Sequence, residues 1–168
     1  ASEGNPYVSL VAEPGGINAM IVDSTALPEQ AVKDILASSF QSAGQRCSAL
    51  RMLYLQEDIA HKFLEMLYGA MDELIVNDPW LANTDIGPII SINATKDIEK
   101  YINLANDENR VLHQVKIPAQ GSFVKPTVIK VESIKQLKRE IFGPVLHVAT
   151  FKSVDIPEIV DDINNKSY

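Results

Sequence analysis

The sequence predicts an open, mostly parallel α/β sheet flanked by helices. Two observations carry this. Short apolar runs of strand type alternate with longer runs of helical periodicity, the pattern of consecutive βα units. The 168 residues contain no repeat, low-complexity tract or Pro/Gly-rich linker, so they read as one domain long enough to bury a core.

In chain order, residues 1–7 are small and polar and read as loop. Residues 8–11 and 19–22 read as strands, the second of fully buried type. Asp23 or Ser24 supplies a cap for the next helix. Val32, Ile35, Leu36, Ser39, Phe40 and Ala43 recur at helical spacing, predicting a helix over 28–43 that Gly44 terminates. Residues 50–55 read as a buried strand. Residues 57–74 form a second amphipathic helix, with Ile59, Phe63, Met66, Leu67, Ala70, Met71 and Leu74 on its apolar face. A third helix spans 93–106 through Ile98, Tyr101, Ile102 and Ala105. Strands follow at 111–117 and at 123–131, the latter entered through Pro126. One or two helical turns over 133–140, a strand over 145–151 and a helix over 155–163 complete the series.

Composition excludes several functions. Hydrophobic residues make up 46% and charged residues 22%, an ordinary globular balance. The net charge of −7, with no basic stripe, argues against nucleic-acid binding. No apolar run reaches the ~18–20 residues of a membrane span, and the first residues lack the pattern of a secretory signal. A single cysteine forms no disulfide framework, which points to the cytoplasm or another reducing compartment. His61, His113 and His147 have no second ligand at metal spacing and read as structural, so no metal site is expected.

Chemistry is expected where glycine-rich turns carry a reactive side chain. Glu13-Pro14-Gly15-Gly16, Gly44-Gln45-Arg46-Cys47 and Glu140-Ile141-Phe142-Gly143-Pro144 are three such turns. Cys47, the only cysteine, falls between a helix and a strand, a usual position for a presented nucleophile. A lone cysteine is more often a small buried hydrophobe than a catalyst. A carboxylate in a turn, once partly desolvated, serves as a general base. Taken singly, Glu13 reads first as a solvated turn carboxylate, and Glu140 reads also as an ion-pair partner of Arg139 or Lys138.

Together, in this order and with Glu13 and Cys47 separated by 34 residues, the three turns resemble the catalytic part of NAD(P)-dependent aldehyde dehydrogenases. Asp85-Ile86-Gly87-Pro88 and Lys125-Pro126-Thr127 extend the resemblance along the whole chain. The wording of residues 42–51, 18–23 and 139–148 is similar to the 1-pyrroline-5-carboxylate (glutamate semialdehyde) dehydrogenase subfamily. Its bacterial form often belongs to a bifunctional proline-utilisation enzyme. Pro14 departs from the family, which more often has Leu or Thr there.

The resemblance implies that Cys47 is the nucleophile and that Glu13 activates water. The backbone N–H of Cys47 would contribute to an oxyanion hole. Glu140 would bind the ribose of NAD and Phe142 would pack near its nicotinamide. Ser48 would touch the substrate's polar end, and Arg46 would pair with an acid or raise the positive potential at the thiol. It implies oxidation of glutamate semialdehyde to glutamate in proline catabolism. It further implies a homo-oligomeric parent, with a proline dehydrogenase domain as a candidate fusion partner. The family's Rossmann-like cofactor domain has no counterpart here, since no Gly-x-Gly-x-x-Gly occurs. The chain therefore reads as part of a catalytic domain, inactive by itself. Two alternatives stand beside this reading: a dehydrogenase for another aldehyde, and a non-catalytic binding or assembly module of the same fold.

Overall fold

The computed structural model describes residues 16–166. The strand expected over 8–11 and the turn carrying Glu13 lie outside the described residues. Five strands form one sheet: β1 (Asn18–Val22), β2 (Leu50–Gln56), β3 (Val111–Gln114), β4 (Thr127–Lys130) and β5 (Val145–Phe151), in the order β1-β2-β5-β4-β3. All neighbours pair in parallel except β3, which runs antiparallel to β4 at the edge. Helices α1 (Pro28–Phe40), α2 (Glu57–Asp72), α3 (Ile92–Asp107) and α4 (Ile156–Asn164) flank it. The open, mostly parallel α/β architecture is thus as expected.

Period-two alternation sorts β2 onto two cores. Leu53 and Leu55 pack with Val32, Ile35 and Phe40 of α1, Phe63 and Leu67 of α2, and Ile98 and Ile102 of α3. Met52 and Tyr54 pack on the opposite side with Ile134, Leu137 and Ile159, where α4 lies. Burial on both faces explains why β2 reads as an apolar run broken only at Arg51 and its last residue, Gln56. Met71 lies in the core, whereas Met66, expected on the same apolar face of α2, is exposed.

The boundaries shift for local reasons. Neither Asp23 nor Ser24 caps α1. Leu27 stands at the N-cap without a side-chain bond, and Pro28 starts the helix, its missing N–H being one of the unpaired donors there. Asp23 instead closes a turn by accepting from the Thr25 N–H and hydroxyl at 2.9 and 2.6 Å. Those bonds lower its pKa. Helix α1 ends at Phe40, short of 43, because Ser42 and Ala43 enter the left-handed region before Gly44 does. β3 stops at Gln114 and β4 begins only at Thr127. Pro118 and Pro126 have no N–H to give a ladder. Over 133–140 only a 3-10 turn forms, Ile134–Gln136, with the Ser133 hydroxyl accepting from the Lys135 N–H.

Candidate active site

Strands β1, β2 and β5 are adjacent and parallel, so the segments that enter them meet at one edge of the sheet, the amino-terminal one. Cys47 lies three residues before β2, and the segment 140–144 runs directly into β5. Glu13 precedes β1 by five residues in sequence and lies outside the described residues.

The thiol turn is held on all sides. Gly44 has φ +66°, and a Cβ there would stand 2.2 Å from the Gly143 carbonyl oxygen. Only glycine allows these two backbones to touch. Gly143 is crowded in turn, since a Cβ on it would come within 2.6 Å of Ile98 Cδ1. The Gln45 amide donates to the Pro88 carbonyl at 3.2 Å and accepts from the Ile90 N–H at 2.9 Å, docking the 85–88 segment against the turn. From β1, Asn18 Nδ2 donates to the carbonyls of Cys47 at 2.7 Å and Ala49 at 2.9 Å. A tight turn from Arg46 to Ala49, closed by an N–H···O bond of 3.1 Å, lifts Cys47 and Ser48 into solvent. As central residues of that turn, their N–H groups have no acceptor among the described residues and are available to an external oxygen.

Glu140 and Phe142 form the other half. Glu140 is 18% exposed, and its Oε1 accepts from Arg51 Nε and Nη2 at 3.1 and 2.8 Å. Its Oε2 has no donor among the described residues. Phe142 is 47% exposed, with the Arg51 guanidinium 5.3 Å from its ring centre. A carboxylate oxygen without a donor among the described residues, beside an exposed ring, can accept from a ligand hydroxyl and offer it an apolar face.

One expectation is corrected. The partner of Glu140 is Arg51, not Arg139 or Lys138; Arg139 pairs with Asp97 at 2.9 Å. Among the described residues the Arg46 side chain meets no carboxylate and donates to Gln41 Oε1 at 2.9 Å, while its carbonyl accepts from Arg51. Arg51, Asn18 and Gln45 were not singled out from sequence. The one signal was a charge inside an otherwise apolar strand, Leu50-Arg51-Met52-Leu53.

Behind Arg51 lies His147 on β5. Its Nδ1–H donates to the Arg51 carbonyl at 2.9 Å, and its Nε2 accepts from the Tyr101 hydroxyl at 2.8 Å. Burial, aided by the charges of Arg110 and Arg51, lowers its pKa from 6.5 to about 4, so the ring is neutral. Burial also raises the pKa of Tyr101. Among the described residues no cluster of three His, Cys, Asp or Glu could hold a metal, and no helix is long and apolar enough to cross a membrane.

The aldehyde dehydrogenase family model matches residues 1–168. The chain is 45% identical over 175 residues to bifunctional protein PutA of Escherichia coli (strain K12), covering 99% of the chain and 13% of that protein. It is 35% identical over 162 residues to 1-pyrroline-5-carboxylate dehydrogenase of Geobacillus kaustophilus, covering 95% of the chain and 31% of that protein. A crystal structure of a Bradyrhizobium japonicum proline utilization A variant superposes with a TM-score of 0.91 at 41% identity, over 99% of this chain and 17% of that one. Betaine aldehyde dehydrogenase of Staphylococcus aureus in complex with NAD+ gives 0.81 at 30%, over 90% of this chain and 31% of that one. The chain thus spans less than a third of each of these relatives.

Proposed function

Because the chain belongs to the aldehyde dehydrogenase family, we propose that it is the thiol-bearing segment of a longer enzyme that oxidises glutamate semialdehyde, formed from 1-pyrroline-5-carboxylate, to glutamate with NAD. The observation that carries this reading is the pairing of two turns at one sheet edge. One presents the exposed Cys47 thiol with unengaged N–H groups, and the other presents the free oxygen of Glu140 beside Phe142. The substrate follows the likeness to PutA and 1-pyrroline-5-carboxylate dehydrogenase.

In this reading the Cys47 thiolate attacks the aldehyde carbon and forms a thiohemiacetal. The N–H groups of Cys47 and Ser48 receive the developing oxyanion. NAD, when bound, supplies the hydride acceptor. Glu140 and Phe142 hold its ribose and nicotinamide end. Oxidation of the adduct leaves a thioester on Cys47. Glu13 then takes a proton from water, whose oxygen adds to the thioester carbon and releases glutamate and the thiolate. Ser48 contacts the polar end of the substrate, and the Arg46 side chain lines the approach to the thiol. The 168-residue segment is inactive alone, because the cofactor's adenosine half is held elsewhere in the protein. The intact protein is a cytoplasmic homo-oligomer, with a proline dehydrogenase domain as its fusion partner.

A second reading, a dehydrogenase for another aldehyde, draws on the 30% identity to betaine aldehyde dehydrogenase. The test is NAD-dependent oxidation of glutamate semialdehyde by the intact protein and by its Cys47→Ala variant. Turnover that drops by about a thousandfold or more in the variant supports the proposal. Turnover of other aldehydes but not this one replaces the substrate. No turnover of any aldehyde leaves a non-catalytic module.

A further inference from the structure

Arg51 is the only charged residue of β2 and is 1% exposed. Its guanidinium donates twice to Glu140 Oε1, once to the Gly143 carbonyl at 3.0 Å and once to the Arg46 carbonyl at 3.1 Å. It also lies against the Phe142 ring. One cation therefore touches the peptide group that leads into Cys47 and three residues of the 140–143 turn. We infer that Arg51 is a positioning residue, setting the Glu140 carboxylate and the Phe142 ring in register with the thiol turn. The inference rests on the reading that Glu140 and Phe142 hold NAD.

Two features distinguish this from a stabilising ion pair. A buried pair is a poor stabiliser, because desolvating two charges offsets their attraction; an apolar side chain would serve a core as well. Burial lowers the pKa of this guanidinium, and Glu140 opposes that shift. The geometry is also not the two-oxygen fork that makes such pairs strong. Both N–H groups converge on Oε1, which orients the carboxylate and leaves Oε2 to a ligand. The backbone of Arg51 is anchored too, through its carbonyl to His147 and on to Tyr101 of α3.

The test uses the intact protein with Arg51→Lys, which keeps the charge but loses the planar fork. Arg51→Gln is the second variant, should the lysine protein not fold; it leaves no unpaired buried cation. Arg139→Gln, an exposed change at the neighbouring arginine, is the control. NAD affinity is measured by calorimetry without aldehyde, and kcat and KM are measured for both substrates. The expected result is a rise of about tenfold or more in Kd and KM for NAD, with the KM for aldehyde within about twofold. In a Glu140→Gln background, Arg51→Lys should weaken NAD by less than about threefold more, because both act through one carboxylate. Unchanged NAD affinity with a lowered melting temperature would reduce Arg51 to a structural role, as would effects of the two substitutions that multiply in full. Those results sink the inference while the active parent keeps the functional reading. An intact protein that neither binds NAD nor oxidises any aldehyde sinks both.

Discussion

The two edges of the parallel sheet are built in opposite ways. At the carboxyl-terminal edge β1, β2 and β5 leave through short connections. β2 passes from Gln56 straight into Glu57 of α2, and the Gln56 side chain accepts from the Ser24 N–H at 3.0 Å and donates to Asp58 at 2.9 Å. β5 ends in a short turn where the Lys152 N–H donates to the Asp155 carboxylate at 2.9 Å. Asp23 closes the exit from β1 in the same local manner. At the amino-terminal edge the segments entering β2 and β5 are long, and their polar groups are satisfied by residues far away in sequence, Arg51 with Glu140 and Gln45 with Pro88. Open α/β sheets commonly bind ligands outside the carboxyl ends of their strands. Here capping by Asp23, Gln56 and Asp155 closes that edge, and the candidate site occupies the other, where loops and backbone contacts leave groups unengaged among the described residues.

The comparison is broken most severely by Gly44→Ala. The new methyl meets the Gly143 carbonyl and the residue keeps a positive φ. A loss of about 3 kcal/mol or more in urea unfolding is expected, together with loss of the proposed aldehyde oxidation in the intact protein. Gly69→Ala, on the exposed side of α2 with nothing near its Cβ, is the matched control and should stabilise by up to about 1 kcal/mol. Equal effects at the two glycines would mean that the close contact of the two turns is dispensable.

Acid sharpens the comparison next. His147 titrates near pH 4 in the folded protein and near 6.5 when free. Between those values the unfolded chain takes up a proton that the folded chain refuses, so stability is present above 6.5 and falls as the pH drops toward 4. By pH 5 the loss is about 2 kcal/mol. His147→Gln should flatten this part of the pH profile in urea titrations at several pH values, and an unchanged slope would show that the histidine does not stay neutral. The smallest effect belongs to the closed edge. Gln56→Ala should cost about 1 kcal/mol, through the Ser24 N–H it leaves unpaired, without altering turnover or the alkylation rate of Cys47. A fall in turnover would show that the two edges are coupled.

Legibility divides by the range of the interactions. Helices α2 and α3 agree with their apolar periodicity to within two residues at either end, because packing on a sheet selects that spacing. The end of α1 does not, since Ser42 and Ala43 turn left-handed to lay Gly44 on Gly143, 99 positions away. Arg51 was visible as an oddity in an apolar strand, but its partner was not. Arg139 is adjacent to Glu140 in sequence and points to Asp97 instead.

By itself the sequence determined the alternation of strands and helices, the turn that carries Cys47, and the resemblance that names Glu13, Cys47, Glu140 and Phe142. These rest on propensity, periodicity and local motifs, which are written in neighbouring residues. Only the tertiary structure decided which edge carries the site, which arginine meets Glu140 and which of its oxygens stays free. Strand order and parallel register bring residues 46, 51, 140 and 143 together across 89 to 92 positions of sequence, as the Arg51 bonds to Glu140 and Gly143 record. Contacts of that span follow from how the whole sheet closes its core, and no local pattern encodes them.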